Sequence, residues 1–169
     1  MSYKRFGAMI ATSTVVMFAL MYLNTYALDH IFYSQTRMWM ALLMGATMAA
    51  VMMAFMWPMY ENKRVNAAII GASAIVFAAA LWLARSQQTV GDASYMRAMI
   101  PHHSIAVLTS ERAHIKDPRV RRLADEIIAA QLREIDEMKK LISELEENPP
   151  PPDAEDIESY RKRGLPPPE

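Results

Sequence analysis

Apolar residues run almost unbroken through the first half of this chain and recur at helical spacing among charges in the second. Phe6 to Leu28 and Met38 to Tyr60 are uncharged runs of about 23 residues, and Val65 to Ala84 adds about 20. At roughly 1.5 Å per residue, each is long enough for a hydrocarbon core of about 30 Å. The pattern predicts three transmembrane helices, over about 6–28, 38–60 and 65–84. After a polar linker at Ser86–Gly91, Asp92 is placed to N-cap a helix running to about His114 or Ile115. Asp117-Pro118 then marks a second start, with Asp as cap and Pro at the first helical position, for a helix ending near Glu147. A short loop between two helices makes them an antiparallel hairpin.

The second of these helices carries an apolar seam: Ala124, Ile128, Gln131, Ile135, Met138, Ile142 and Leu145. Beside it runs a second row, Val120, Leu123, Ile127 and Leu141. Together they exceed what one partner helix covers, which predicts a homo-oligomer, a dimer or higher, closing a four-helix bundle. The expected fold is all-α: a membrane domain at 1–85, an extramembrane hairpin at 86–148 and a Pro-rich tail at 149–169.

Formal net charge is zero, but residues 1–84 hold only Lys4, Arg5, Asp29, Arg37, Glu61, Lys63 and Arg64 as charges. Basic residues in the second half alternate with acids, as on a solvated helix face, and give no footprint for nucleic acid. Lys4/Arg5 and Lys63/Arg64 flank the spans on one side, against Arg37 and Arg85 on the other. The positive-inside rule then sets the N terminus in the cytoplasm and the C-terminal half in the periplasm or outside the cell, anchored in the inner (cytoplasmic) membrane and its lipid bilayer. Tyr26, Tyr33, Trp39 and Trp82 fit the outer interface, Trp57 and Tyr60 the inner. Span one also has the basic start of a signal peptide, though its apolar run is long for one. The absence of cysteine excludes thiolate metal sites and disulfides.

The chemistry concentrates in Met96-Arg-Ala-Met99-Ile-Pro101-His102-His103, two thioethers and two imidazoles in eight residues. Such ligands suit Cu(I) and, through imidazole, Cu(II), and suit Mg or Ca poorly. Met96, Met99, His103, Ser110 and His114 fall on one helical stripe, with His102 about 100° round from His103. Pro101 removes a backbone hydrogen bond and is expected to bend the helix there. Met138 enters from the facing helix. The expected metal ligands are therefore Met96, Met99, His102, His103 and Met138, with copper, Cu(I) favoured and Cu(II) possible, as the bound ion. Gln131 is either a polar register residue in the seam or a partner for a metal-bound imidazole.

Eight methionines from Met38 to Met59 line span two. They read as a thioether path for soft metal or, more simply, as adaptable packing groups. Asp29 and His30, near Met38 and Met40, are a candidate secondary site. Glu111-Arg-Ala-His114 is a lone E-x-x-H, whereas a di-iron centre needs several carboxylates with it. No H-E-x-x-H, nucleophile elbow or phosphate loop is present, so no enzyme is expected.

The stretch Tyr95-Met-Arg-Ala-Met-Ile-Pro-His-His, then Ala106-Val107, Leu123-Ala124, Ile127-Ile128, Gln131, Glu134-Ile135 and Met138, resembles the domain-of-unknown-function family 305 (DUF-305). The resemblance covers about residues 92–145. It implies a ferritin-like helical bundle, frequent export or membrane anchoring, and an association with copper binding and tolerance. The matching positions are Met96, Met99, His102, His103, Gln131, Glu134 and Met138, with Gln131 and Glu134 as orienting partners of the imidazoles. Where a Met-Ala pair is common after the histidines, this chain has Thr109-Ser110, one thioether fewer for copper storage. The family often carries two hairpins and this chain has one, which again implies assembly between chains. The expected function is a membrane-anchored copper-binding protein of the cell envelope, serving buffering, chaperoning or resistance. The alternatives are an oligomeric interaction module without metal, and metal transport through the Met-rich spans.

Overall fold

The computed structural model describes residues 2–167. They form five α-helices and, among the described residues, no strand: α1 (Tyr3–Leu20), α2 (Gln35–Phe55), α3 (Lys63–Ser86), α4 (Asp92–Arg112) and α5 (Pro118–Glu147). Short 3-10 turns lie at Leu28–His30 and Trp57–Met59. Three helix starts are capped by side chains. Ser34 accepts from the Arg37 N–H, Asn62 from those of Arg64 and Val65, and Asp117 from that of Arg119. Each cap satisfies a backbone donor that the first helical turn leaves unpaired. Asp92 is not the cap of α4: Gly91 holds that position, and Asp92 places its carboxylate in the first turn, at the positive end of the helix.

Among the described residues two helices, not the expected three, are long and apolar enough to cross a membrane: α2, mean hydropathy 1.8, and α3, mean hydropathy 2.2. The apolar run from Phe6 does not continue as helix to Leu28. It stops at Leu20, and residues 21–24 turn. Because Tyr3, Lys4 and Arg5 occupy the first turn, the apolar part of α1 is about 15 residues, or about 22 Å, short of a hydrocarbon core. α2 starts three residues earlier than expected and ends at Phe55, where the Pro58 turn takes over.

α1 lies antiparallel along α2. Its N-terminal end is pinned at the α2–α3 turn, where Tyr3 stacks on Tyr60 at 4.8 Å and its hydroxyl lies 2.7 Å from Asn66 Oδ1. Phe6, Ala49, Met53 and Tyr60 form the core beside it, with Met52 and Met56 packed against them. These methionines of α2 thus fill space between helices. Further along, Gly45 lets the two backbones approach, since a Cβ there would collide with Thr14 Oγ1. A largely apolar groove of about 660 Å³, lined by α1, α2 and α3 and with Thr14 and Ser73 among its walls, stays open.

α4 and α5 pair antiparallel: Arg97 meets Glu146, His103 meets Glu134, and Arg121 donates to the Ser110 carbonyl. Met96, Ile100, Ile135 and Ile142 form their core, with Met138 and Leu145 at its edge. Pro101 sits inside α4 and is fully buried. The two halves meet through α2 and through the α1–α2 connection, whose Phe32 packs into the hairpin core. Beyond Glu147 the described chain has no helix and is exposed throughout.

Candidate metal centre

Met96, Met99 and His103 stand three and seven residues apart on α4, so helical geometry places them within about 60° of one another. Met138 faces them from α5. Together with Glu134, Glu137, Asp92, Tyr95, Leu141 and Leu145 they line one open cleft of about 430 Å³. Four of the five expected ligands therefore converge. His102 does not: it is exposed, with its ring centre 6.1 Å from that of His103, and it lies outside the cleft. The heptad separation of Met96 and His103 carried that distinction, because seven residues return to nearly the same angle and six do not.

His103 is the best-defined group of the cleft. It is 8% exposed, and its Nδ1 lies 2.9 Å from the Met99 carbonyl oxygen. A carbonyl only accepts, so Nδ1 donates to it, and Nε2 is turned to the cleft, where the Glu134 carboxylate, likewise only an acceptor, takes its N–H. A backbone carbonyl on the far ring nitrogen is a usual way for a protein to orient a ligating imidazole. Nε2 is held by Glu134 Oε2 at 2.7 Å. Glu134 thus does not orient the ring from behind, the role expected of it. It touches the nitrogen a metal would use, and the Met99 carbonyl does the orienting.

The remaining candidates lie elsewhere. Gln131 is half-buried but does not line the cleft. His114 is exposed in the loop after α4, which ends at Arg112 rather than at His114 or Ile115. His30 belongs to no site with Met38 and Met40. It is 6% exposed against α4, with Nδ1 3.0 Å from Ser104 Oγ, while Asp29 reaches Lys139 Nζ at 2.6 Å and the Met38 sulfur takes the Tyr33 hydroxyl. Burial, reinforced by the nearby Lys139 ammonium, holds the His30 imidazole below its ordinary value.

Among the described residues no three His, Cys, Asp or Glu side chains are grouped to hold a metal ion. The soft donors on the cleft are three thioethers and one imidazole, with the Asp92, Glu134 and Glu137 carboxylates also on its lining.

The docking of His30 and Phe32 on the hairpin had no forerunner in the sequence.

The family match falls on the hairpin and the start of the tail. The chain is 42% identical over 62 residues to the "Uncharacterized protein L153" of Acanthamoeba polyphaga mimivirus, a match covering 36% of this chain and 41% of that protein. No solved structure matches the chain. Residues 92–165, which hold the whole cleft and extend into the tail, match the family described as "Domain of unknown function (DUF305)".

Proposed function

We propose that the α4–α5 hairpin binds copper, chiefly Cu(I), through the Met96, Met99 and Met138 sulfurs and His103 Nε2. The observation that carries this reading is one cleft with three thioethers and an imidazole whose other nitrogen is fixed by a backbone carbonyl. Soft thioethers select Cu(I), and imidazole accepts either oxidation state. For Nε2 to ligate, its hydrogen bond to Glu134 would have to open and its proton pass to that carboxylate or to solvent, so Glu134 would compete with the ion for this nitrogen. α2 and α3 anchor the hairpin in a membrane, and their outward-facing Phe55, Ile75 and Trp82 suit lipid. Lys4, Arg5, Lys63 and Arg64 gather at one end of the helices, which favours that end in the cytoplasm and the hairpin on the envelope side. The role is copper buffering, delivery or resistance at the membrane surface.

A homo-oligomer accompanies this function. Val120, Leu123, Ile127 and Leu141 lie on α5 at 36–56% exposure, a row that a second hairpin would cover in a four-helix bundle.

The test is Cu(I) titration of the full-length protein in detergent against a chromogenic chelator. Stoichiometric binding is expected, lost in His103→Ala and weakened at least about tenfold in Met138→Leu, a swap that keeps side-chain volume. Wild-type protein that leaves the chelator fully loaded would reject the reading.

A further inference from the structure

Residues next to the cleft ligands grip the connection between α1 and α2. On α4, His103 faces the cleft, and Ser104, about 100° further round, faces the other way. Ser104 is fully buried. Its Oγ accepts from the Tyr26 backbone N–H at 2.7 Å and lies 3.0 Å from His30 Nδ1. On α5, Met138 lines the cleft while the next residue, Lys139, donates to Asp29 Oδ2 at 2.6 Å. Asp29 and His30 are consecutive in the Leu28–His30 turn. One turn therefore spans both helices, each time one residue from a cleft-lining group. Phe32 packs on the same core as Met96.

The turn is in its own way tied to the apolar helices. Arg37, at the start of α2, donates to the Met21 carbonyl at 2.7 Å and lies over the Tyr22 ring at 4.5 Å. The Tyr22 hydroxyl accepts from the Ser34 N–H at 3.0 Å.

We infer that the Leu28–His30 turn is a coupling element: it holds α4 and α5 at the spacing the cleft needs, and cleft occupancy is passed through it to the adjoining ends of α1 and α2. This rests on the copper reading. A metal held by Met96, Met99 and His103 of α4 together with Met138 of α5 would fix the same interhelical spacing that the turn fixes from the opposite side. Two ligands that favour one arrangement strengthen each other, and linkage makes the effect reciprocal. Asp29, His30, Ser104 and Lys139 are thus positioning residues for the metal, and metal in turn tightens the connection.

The test uses full-length protein in detergent, comparing wild type with Ser104→Ala, Asp29→Lys, Lys139→Asp and the Asp29→Lys/Lys139→Asp double variant. Cu(I) affinity is read by chelator competition, and protection of residues 26–34 by hydrogen exchange with and without Cu(I). Each single variant is expected to weaken Cu(I) binding about fivefold or more, the lower range of coupling between linked sites. The double variant restores it, which general damage to the hairpin would not allow. Cu(I) slows exchange of residues 26–34 in wild type but not in Met138→Leu. Wild-type binding that all the variants share, with exchange indifferent to Cu(I), overturns the coupling and leaves the copper site standing. No binding by wild type overturns both. Should a charge reversal lose helicity, Ser104→Ala, which removes one hydroxyl, decides alone.

Discussion

Glu134 is the residue on which the chemistry of the cleft turns. Its carboxylate is 42% exposed and bonds the one His103 nitrogen available to a metal. An orienting partner behind an imidazole normally costs metal affinity when removed, by about 10–100-fold. Glu134 sits in front, so the opposite sign is expected. Glu134→Ala should raise Cu(I) affinity by a few-fold, because Nε2 no longer has to break a charge-assisted hydrogen bond before it ligates. Chelator competition at fixed pH reads this directly, and a drop of tenfold or more would return Glu134 to the supporting role. The sequence alone could name Glu134 but not its side of the ring. That distinction depends on the rotamer of His103, set here by the Met99 carbonyl four residues earlier. Periodicity did separate His103 from His102 in principle, since only one lies a full heptad from Met96.

At the scale of elements, the Leu28–His30 turn carries a pH dependence. Ser104 Oγ accepts from the Tyr26 N–H and lies 3.0 Å from His30 Nδ1, while His30 Nε2 stands 3.9 Å from Asp29 Oδ2. Burial first, then the Lys139 charge, depress the His30 pKa, and Asp29 and Asp136 oppose them only in part. A docked imidazole with a depressed pKa contributes stability that is whole above the free value of 6.5 and is lost as pH falls through the docked value. Protection of residues 26–34, corrected for intrinsic exchange, should therefore hold near neutrality and decline below pH about 6.5. His30→Gln should flatten that profile, and an unchanged slope in the variant would move the titration to another group. The hairpin that receives the turn was legible in the chain: Asp117-Pro118 set the start of α5, and the seam from Ala124 to Leu145 set its buried face. The docking was not, because it joins residues 74 and 110 positions apart with no repeating pattern to announce them. The early end of α1 was hidden for a simpler reason. Met21 to Leu28 is as free of charge as the helix before it, and only Asn24-Thr25 hinted at a turn.

Over the whole molecule, the two halves differ in what their surfaces need. α2 and α3 expose apolar side chains over most of their circumference, which a bilayer satisfies without any partner chain. α5 has charged neighbours along its length, including the Arg121–Asp125 and Arg122–Glu126 pairs, so lipid does not suit its apolar row. Val120, Leu123 and Ile127 lie beside those pairs near the start of α5, and Leu141 borders the cleft itself. A second hairpin laid on this row would cover the apolar side chains and the open side of the cleft together. Burying a Leu or Ile side chain is worth roughly 1.5–3 kcal/mol, so a few such residues on each chain suffice for stable association. Leu123→Glu with Ile127→Glu should convert the detergent-solubilised protein to a monomer by light scattering while its helicity stays intact, since both positions face outward in the single chain. The same variant should retain Cu(I) binding if one hairpin holds a complete ligand set. Loss of binding alongside dissociation would mean that the metal is shared between chains. A wild type already monomeric would leave the row without a second copy and remove the four-helix bundle from the account.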